Sequence, residues 1–214
     1  MNHCGREVSR GEQHSHLIGS ELRGWASDSQ IRLFPSVQDP QDAVLDGSCY
    51  AGSYISALRL EAQSLVRGLF RNHPGRLTLA FAEFGQCRGR AGGRSFRAVP
   101  NRFSFLLLPE EVLEIQLSSP KLVGFVIQLP VDMLMQECQL HQVDQPSLET
   151  LVDTIPGHES LLLACARQLL DLREQPESLV RARLVLPLEA SILSLVASLV
   201  GSATPAALMN EPLA

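Results

Sequence analysis

The stretch Arg76-Leu-Thr-Leu-Ala-Phe-Ala-Glu-Phe84 decides the fold class of this chain. Successive side chains of an extended strand point to opposite faces, so Leu77, Leu79 and Phe81 share one face. The residues His73-Pro-Gly75 come immediately before the stretch, and this composition favours a tight turn. The pattern predicts a strand that packs an apolar face into a β-sheet core.

Short apolar runs of the same kind recur on both sides of this stretch. Arg102-Phe-Ser-Phe-Leu-Leu-Leu108 places Phe103 and Phe105 on one face, and residues 112–117 and 122–129 continue the series. Gly, Pro and Ser separate the runs. Six or seven strands at spacings of roughly 8 to 12 residues predict a small antiparallel sandwich or barrel.

The residue pattern changes before and after these strands. Residues 1–45 lack sustained periodicity and predict a poorly ordered N-terminal arm, followed by the barrel at 46–129. Residues 130–201 predict helices: one opened by Pro130, one with the apolar stripe Leu162, Cys165, Leu169 and Leu172, and one that Pro187 kinks or divides before Gly201 ends it. Residues 202–214 predict a flexible tail. The fold class is therefore mainly β with C-terminal helices (α+β).

Composition limits the classes of protein to consider. With 214 residues and 45% hydrophobic content the chain can bury a sizeable core, and this excludes global disorder. A net charge of -5 argues against a free-standing nucleic-acid binder, which normally carries a basic excess. The charge is uneven, because residues 59–102 carry nine basic and two acidic side chains, whereas residues 103–160 carry one and nine.

The cysteines and the apolar segments indicate a cytoplasmic protein. Five scattered cysteines without a C-x-x-C pair exclude a zinc knuckle and a thioredoxin-like motif, and they fit a reducing compartment. The N-terminus has no continuous apolar segment of the secretory kind. Residues 184–200 form the most apolar stretch, but they contain Pro187 and Glu189. We interpret them as a buried or interface helix, and we expect no membrane partner.

Catalytic motifs are not evident in the sequence. It contains no G-x-S-x-G elbow, phosphate loop or dinucleotide fingerprint, so we expect no enzyme and no cofactor. The best metal candidate is His14-Ser-His16 with Glu21, since two histidines two residues apart on a strand point the same way. Histidines in a polar arm are more often plain surface residues, and the metal site stays the weaker alternative.

The series Arg88, Arg90, Arg94, Arg97 and Arg102 falls in or beside a Gly-rich turn. Such a group can clamp a carboxylate or phosphate ligand. The favoured alternative is a solvated hairpin whose arginines oppose the acidic half of the domain or a partner subunit.

The order of arm, barrel and helices resembles the N-terminal, cupin-like regulatory half of AraC-type transcription factors. The resemblance covers about residues 45–201 and rests on five segments: Gly52-Ser-Tyr-Ile-Ser-Ala-Leu-Arg-Leu60, Arg67-Gly-Leu-Phe-Arg71, His73-Pro-Gly-Arg-Leu-Thr-Leu-Ala-Phe81, Phe105-Leu-Leu-Leu-Pro109 and Gly124-Phe-Val-Ile127. It implies a small cupin-like antiparallel barrel followed by a helical pair that dimerises.

The resemblance also implies a function, namely an effector-sensing and dimerisation module of such a regulator. In this family a helix-turn-helix half follows the helices, and we expect these residues to lack that half and to make no direct contact with nucleic acid. We expect a homodimer, or a heterodimer with a full-length relative, through the apolar stripe Leu188, Ile192, Leu195 and Leu199. Replacing Leu195 by Asp is then expected to give a monomer.

The apolar strand faces provide a candidate pocket for a small-molecule effector, and they can equally well fill the barrel interior. The candidate ligand-binding residues are Leu79, Phe81, Arg97, Phe103, Phe105 and Phe125. Two alternative functions remain open at this point: a stand-alone cupin-like enzyme with a metal at His14, His16 and Glu21, and a ligand-free structural interaction protein.

Overall fold

In the computed structural model of the chain, the described residues form ten strands followed by three helices. The structure describes residues 17–23, 31–36, 42–143, 148, 151, 155–174 and 179–201. The strands are β1 (Arg32–Pro35), β2 (Val44–Ala51), β3 (Ser56–Gln63), β4 (Leu65–Arg71), β5 (Arg76–Phe84), β6 (Cys87–Ala91), β7 (Arg94–Arg97), β8 (Arg102–Leu107), β9 (Val112–Leu117) and β10 (Lys121–Pro130). The helices are α1 (Val131–Leu140), α2 (Glu159–Glu174) and α3 (Leu179–Gly201), and a 3₁₀ turn covers Ser20–Leu22.

The strands form two five-stranded antiparallel sheets that enclose a barrel. The first sheet, which we call the open sheet, has the order β1-β4-β9-β6-β7, and the second, the covered sheet, has the order β2-β3-β10-β5-β8. The predicted fold class, a small antiparallel barrel followed by helices, is confirmed.

The strand count exceeds the six or seven expected from the sequence. The Gly-rich segment is not a plain turn, because β6 and β7 pair from Arg88 with Arg97 to Ala91 with Arg94. The two residues between them, Gly92 and Gly93, both have positive φ, at 55° and 83°. This is the conformation that a two-residue hairpin needs and that glycine adopts without strain.

The barrel begins before residue 46, which is the start predicted from the sequence. Strand β1 lies inside the segment 1–45 that was assigned to an arm, and the boundary itself falls within β2. Leu22 and Leu33 are buried, and Ile18 forms an isolated parallel bridge with Leu45. Although these apolar residues lack a regular period, they belong to one buried cluster of the barrel. The predicted tail at 202–214 lies outside the described residues.

The helices pack on the covered sheet and bury its outer face. Helix α2 contacts β2, β3 and β10, helix α1 follows directly from β10, and α3 packs against α1 and α2. The predicted stripe on α2 is inward-facing, with Leu162, Leu169 and Leu172 buried and Cys165 partly buried. Helix α3 continues through Pro187, so the proline does not divide it.

Helix α3 contains an 18-residue stretch, Arg183–Val200, that is long and apolar enough to span a membrane, and 39% of it is buried inside the structure. Glu189 lies within this stretch and is fully buried. Its Oε1 accepts a hydrogen bond from the Tyr50 hydroxyl, and its Oε2 accepts one from the Tyr54 backbone N–H at 3.0 Å. A Cβ at Gly52 would lie 1.6 Å from Oε1, so only glycine allows this approach. The carboxyl group therefore ties α3 to the loop between β2 and β3.

We expect Tyr50→Phe to lower the free energy of unfolding by about 1–3 kcal/mol, because it leaves one buried oxygen of Glu189 without its hydroxyl donor. Tyr54→Phe is the matched control, since Tyr54 donates through its backbone, and we expect a change below about 0.5 kcal/mol. Urea unfolding followed by circular dichroism measures both values. Equal losses in the two variants would contradict the role given to Glu189.

Candidate functional site

A cavity of about 110 Å³ lies between the two sheets. It exists because the inward positions of the two central covered strands carry small or polar side chains. Thr78, Ala80 and Ala82 of β5 face inward, and their partners in the register on β10 are Gln128, Val126 and Gly124. The other walls are mainly Leu, Ile and Phe side chains. An engineered apolar cavity of about 150 Å³ accepts benzene, so a cavity of about 110 Å³ is in the size range of a ligand with one small ring.

One end of the cavity carries a buried polar chain anchored by Asn72. The Asn72 Nδ2 donates to the backbone carbonyls of Arg76 at 2.7 Å, Leu108 at 3.0 Å and Leu107 at 3.1 Å. Its Oδ1 accepts from the backbone N–H of His73 at 3.0 Å. These contacts fix the orientation of the Asn72 amide, because its nitrogen must face the carbonyls.

The fixed amide determines the direction of every later hydrogen bond in the chain. Thr78 Oγ1 donates its single proton to Asn72 Oδ1 at 2.8 Å, so it can only accept from the next group. Gln128 therefore turns its Nε2 toward Thr78, at 3.4 Å. Within the described residues the Gln128 Oε1 has no hydrogen-bond partner, although only 6% of the residue is exposed. The cavity thus presents one buried acceptor.

The predicted ligand-binding residues do not all border this cavity. Phe105 does. Phe81 and Phe125 border it as well, but both belong to the core between the covered sheet and the helices. Leu79, Phe103 and Arg97 do not border it. Leu79 and Phe103 belong to the core between the covered sheet and the helices. Arg97 is exposed on β7. The assignment of Leu79, Phe103 and Arg97 to the pocket lining is therefore wrong.

The direction in which the strand side chains point explains why these three residues do not line the cavity. The large residues of β5 face the helices, and Phe81 packs edge-on against Phe103 with ring centroids 5.8 Å apart. On β10 the Arg167 guanidinium of α2 lies 5.3 Å from the Phe125 ring centroid, which places that ring on the helix side as well. Sequence reasoning missed Asn72, Thr78 and Gln128. The sequence signal for Thr78 and Gln128 was a polar residue inside an otherwise apolar strand.

The predicted metal set is only partly described, because His14 and His16 lie outside the described residues. Glu21 forms an ion pair with Arg173 of α2 at 2.7 Å. The hydrogen bond from this guanidinium, followed by its charge, lowers the pKa of the Glu21 carboxyl. Within the part of the chain that the structure describes, no three metal-ligating side chains cluster.

Burial disfavours the thiolate form of the cysteines in the described residues, and the thiolate is the nucleophilic form. Cys87 lines the cavity, and burial raises the pKa of its thiol to about 12. Burial also raises the pKa values of Cys49, Cys138 and Cys165.

Two of the five arginines in or beside the Gly-rich segment pair with the acidic part of the chain. Arg94 binds Glu111 at 2.9 Å, and Arg102 lies 3.5 Å from Glu159. Arg88 donates instead to Gln116, at 3.2 Å.

The predicted dimer stripe on α3 packs within a single chain. Ile192 and Leu199 are buried, and Leu188 and Leu195 are partly buried against the same core. Ile192 and Leu199 are thus intramolecular core, and their assignment to a subunit interface is wrong. A role of Leu188 and Leu195 at a subunit interface stays a prediction. Periodicity does not distinguish a core face from an interface face.

Comparison with known proteins shows a likeness of fold. No family model matches the sequence, and no curated protein matches it. The AraC-like transcriptional activator CuxR superposes with a TM-score of 0.54 at 11% identity, over 88% of this chain and 69% of that one.

Two smaller likenesses concern part of the chain. The cupin domain of Cnp3 from Schizosaccharomyces pombe has a TM-score of 0.36 at 9% identity, over 48% of this chain and 75% of that one. A double-stranded β-helix protein from Klebsiella pneumoniae has a TM-score of 0.34 at 12% identity, over 40% and 76%. The chain has a cupin-like barrel with C-terminal helices, similar in fold to an AraC-like activator.

Proposed function

We propose that this chain is a cytoplasmic, non-catalytic module of an AraC-type transcription regulator that senses an effector and dimerises. The cavity carries the proposal, because the Gln128 Oε1 in it has no partner among the described residues, and a buried polar atom without a partner costs about 1–3 kcal/mol unless something satisfies it. The fold likeness to CuxR supports the order of the parts, with a barrel followed by helices.

The cavity chemistry defines the class of effector. The Gln128 oxygen accepts a hydrogen bond, so the effector carries an O–H or N–H donor. The remaining walls are mainly apolar, and the guanidinium groups of Arg67 and Arg71 belong to outward positions of β4. A charged ligand would lose its hydration in such a site without a counter-charge. The effector is therefore small and neutral, with one donor group and an apolar body.

The site also has a direct route to the helices. Gln128 lies three residues before Val131, where α1 begins, and the Val131 N–H donates to the Gly75 carbonyl at 3.0 Å. The opposite face of the same strand carries Ile127 and Leu129, which are fully buried in the core shared with the helices. A ligand that displaces β10 by a fraction of an ångström therefore changes the packing of α1.

A more exposed surface than the predicted stripe is available for dimerisation on α3. The first described turns of α3 expose Leu184 and Leu186, which are 49% and 47% exposed. Arg183 and Pro187 are exposed beside them, whereas Val185 packs against the core, so this part of the helix lies at the edge of the core. We place the subunit interface at these two leucines.

Phenol serves as a probe for the effector class, with toluene as a probe of similar size that lacks a donor. At a hundred times its Kd, phenol is expected to raise the free energy of unfolding by about 2.7 kcal/mol. The Gln128→Leu variant should lose the preference for phenol over toluene, by about tenfold in Kd for a hydrogen bond of about 1.4 kcal/mol. Thermal unfolding with each probe measures this.

Gln116→Leu is the control for this experiment, since Gln116 lies on the outer face of the open sheet and is exposed. It should leave the probe preference unchanged. Stabilisation by phenol that is equal in the wild type and in Gln128→Leu would refute the role of the amide. If neither probe stabilises the wild type, the barrel is a filled core.

The double variant Leu184→Asp with Leu186→Asp should be monomeric, because two carboxylates cannot be buried at an interface without partners. Leu140→Asp is the control, since Leu140 of α1 is 77% exposed and lies outside the proposed interface. Light scattering over a range of concentrations measures the mass. A monomeric wild type, or a dimer that survives the double substitution, contradicts the proposed interface.

A further inference from the structure

The outer face of the open sheet has no helix packed on it within the described residues. The described helices contact strands of the covered sheet, namely β2, β3 and β10. The open sheet therefore presents the outer face of five strands to solvent.

A row of exposed residues crosses all five strands of this face. The register pairs Phe34 with Arg67, Arg67 with Gln116, Gln116 with Arg88, and Arg88 with Arg97. All five residues are exposed. Because neighbouring strands lie about 4.8 Å apart, the row is about 19 Å long.

Further arginines occupy outward positions beside this row. Arg32 and Phe34 share a face of β1, Arg71 shares a face of β4 with Arg67, and Arg90 shares a face of β6 with Arg88. We call the six residues together the arginine face: Arg32, Arg67, Arg71, Arg88, Arg90 and Arg97. Glu114 of β9, opposite Arg90, is the acidic residue at an outward position among them. The face thus carries a net charge of about +5 on a chain whose total is -5.

Most of these charges are not neutralised. Within the described residues Arg32, Arg71, Arg90 and Arg97 form no ion pair and no side-chain hydrogen bond. Arg67 lies 3.8 Å from Glu114, with about half of each side chain exposed, and such a pair contributes about 0–1 kcal/mol. The guanidinium groups of the arginine face are therefore available to an external anion.

The hairpin β6–β7 shows that this arrangement has an energetic cost. Arg88 and Arg97 are direct cross-strand partners, and like charges placed opposite each other destabilise a sheet. Gln116 holds the Arg88 Nε at 3.2 Å, which leaves the terminal nitrogens of that guanidinium to solvent. An anion bound between the two arginines would remove the repulsion.

We propose that the arginine face binds the phosphate backbone of duplex DNA without reading its bases. Duplex DNA carries one negative charge per about 1.7 Å of axis, so several unpaired arginines on one face can contact several phosphates at once. Proteins that bind single strands stack bases on several aromatic side chains, whereas Phe34 is the one aromatic residue in the row. This proposal replaces the expectation drawn from the net charge of the whole chain, and it does not depend on the barrel cavity.

Fluorescence anisotropy of a labelled duplex of random sequence tests the proposal with the 214-residue chain at about 50 mM and 200 mM salt. Five or six phosphate contacts predict a slope of about -5 in log K against log salt. The triple variant Arg88→Gln, Arg90→Gln, Arg97→Gln should bind about a hundredfold more weakly near 100 mM salt, and its slope should be smaller by about 3.

A second triple variant keeps the net charge equal to that of the first. Arg23→Gln, Arg76→Gln and Arg183→Gln remove three arginines from outside the arginine face, and binding should stay within about threefold of the wild type. Thermal unfolding of both variants confirms that they are folded, and the face variant should be at least as stable as the wild type because its repulsion is relieved.

Four results would overturn the proposal. They are no binding of the wild type at 50 mM salt, equal losses in the two triple variants, tighter binding of a single strand than of the duplex, and displacement of the duplex by polyglutamate at an equal concentration of charges. The last result would identify the surface as a site for an acidic protein.

Discussion

Strands β5 and β10 are buried on both faces, and the rest of the structure depends on how these two faces divide the side chains. Leu77, Leu79 and Phe81 point to the helices, and each is almost completely buried. Full burial of such a side chain stabilises the fold by about 1.5–3 kcal/mol. The alternate positions, Thr78 and Ala80, are too small to fill the barrel. The same alternation of large and small side chains on β5 therefore produces both the packing against the helices and the cavity.

This division also separates structural from functional polar groups. Glu189 lies on the helix side, where both of its oxygens have donors, and it connects α3 to the barrel. Gln128 lies on the cavity side, where the chain of hydrogen bonds from Asn72 fixes its amide and leaves one oxygen without a described partner. A satisfied buried group specifies a fold, whereas an unsatisfied one is a candidate for ligand recognition.

The sequence was sufficient for the fold class and for the helices, because both follow from local periodicity. It was insufficient for the site, since period-2 alternation shows which residues share a face but not which face is the barrel interior. The choice of Leu79 and Phe103 as lining residues failed on this point, and so did the α3 stripe, where Ile192 and Leu199 are core. In both cases the larger apolar set was assigned to the functional surface, although size favours the core.

The same reasoning explains why net charge was a poor guide to the surface. Several acidic residues pair locally: Glu83 with Arg59 and Arg167, Glu111 with Arg94, and Glu61 with Lys121. Pairing of this kind leaves the total charge of the chain unchanged but neutralises these carboxylates locally. Surface charges are also screened within about 10 Å at 0.1 M salt, so they act only on groups close to them. An approaching polyanion meets only the nearest face. On the open sheet, the nearest face consists of the outward-pointing residues of five paired strands. Strand pairing brings together arginines from β1, β4, β6 and β7 that are up to 65 positions apart in the chain.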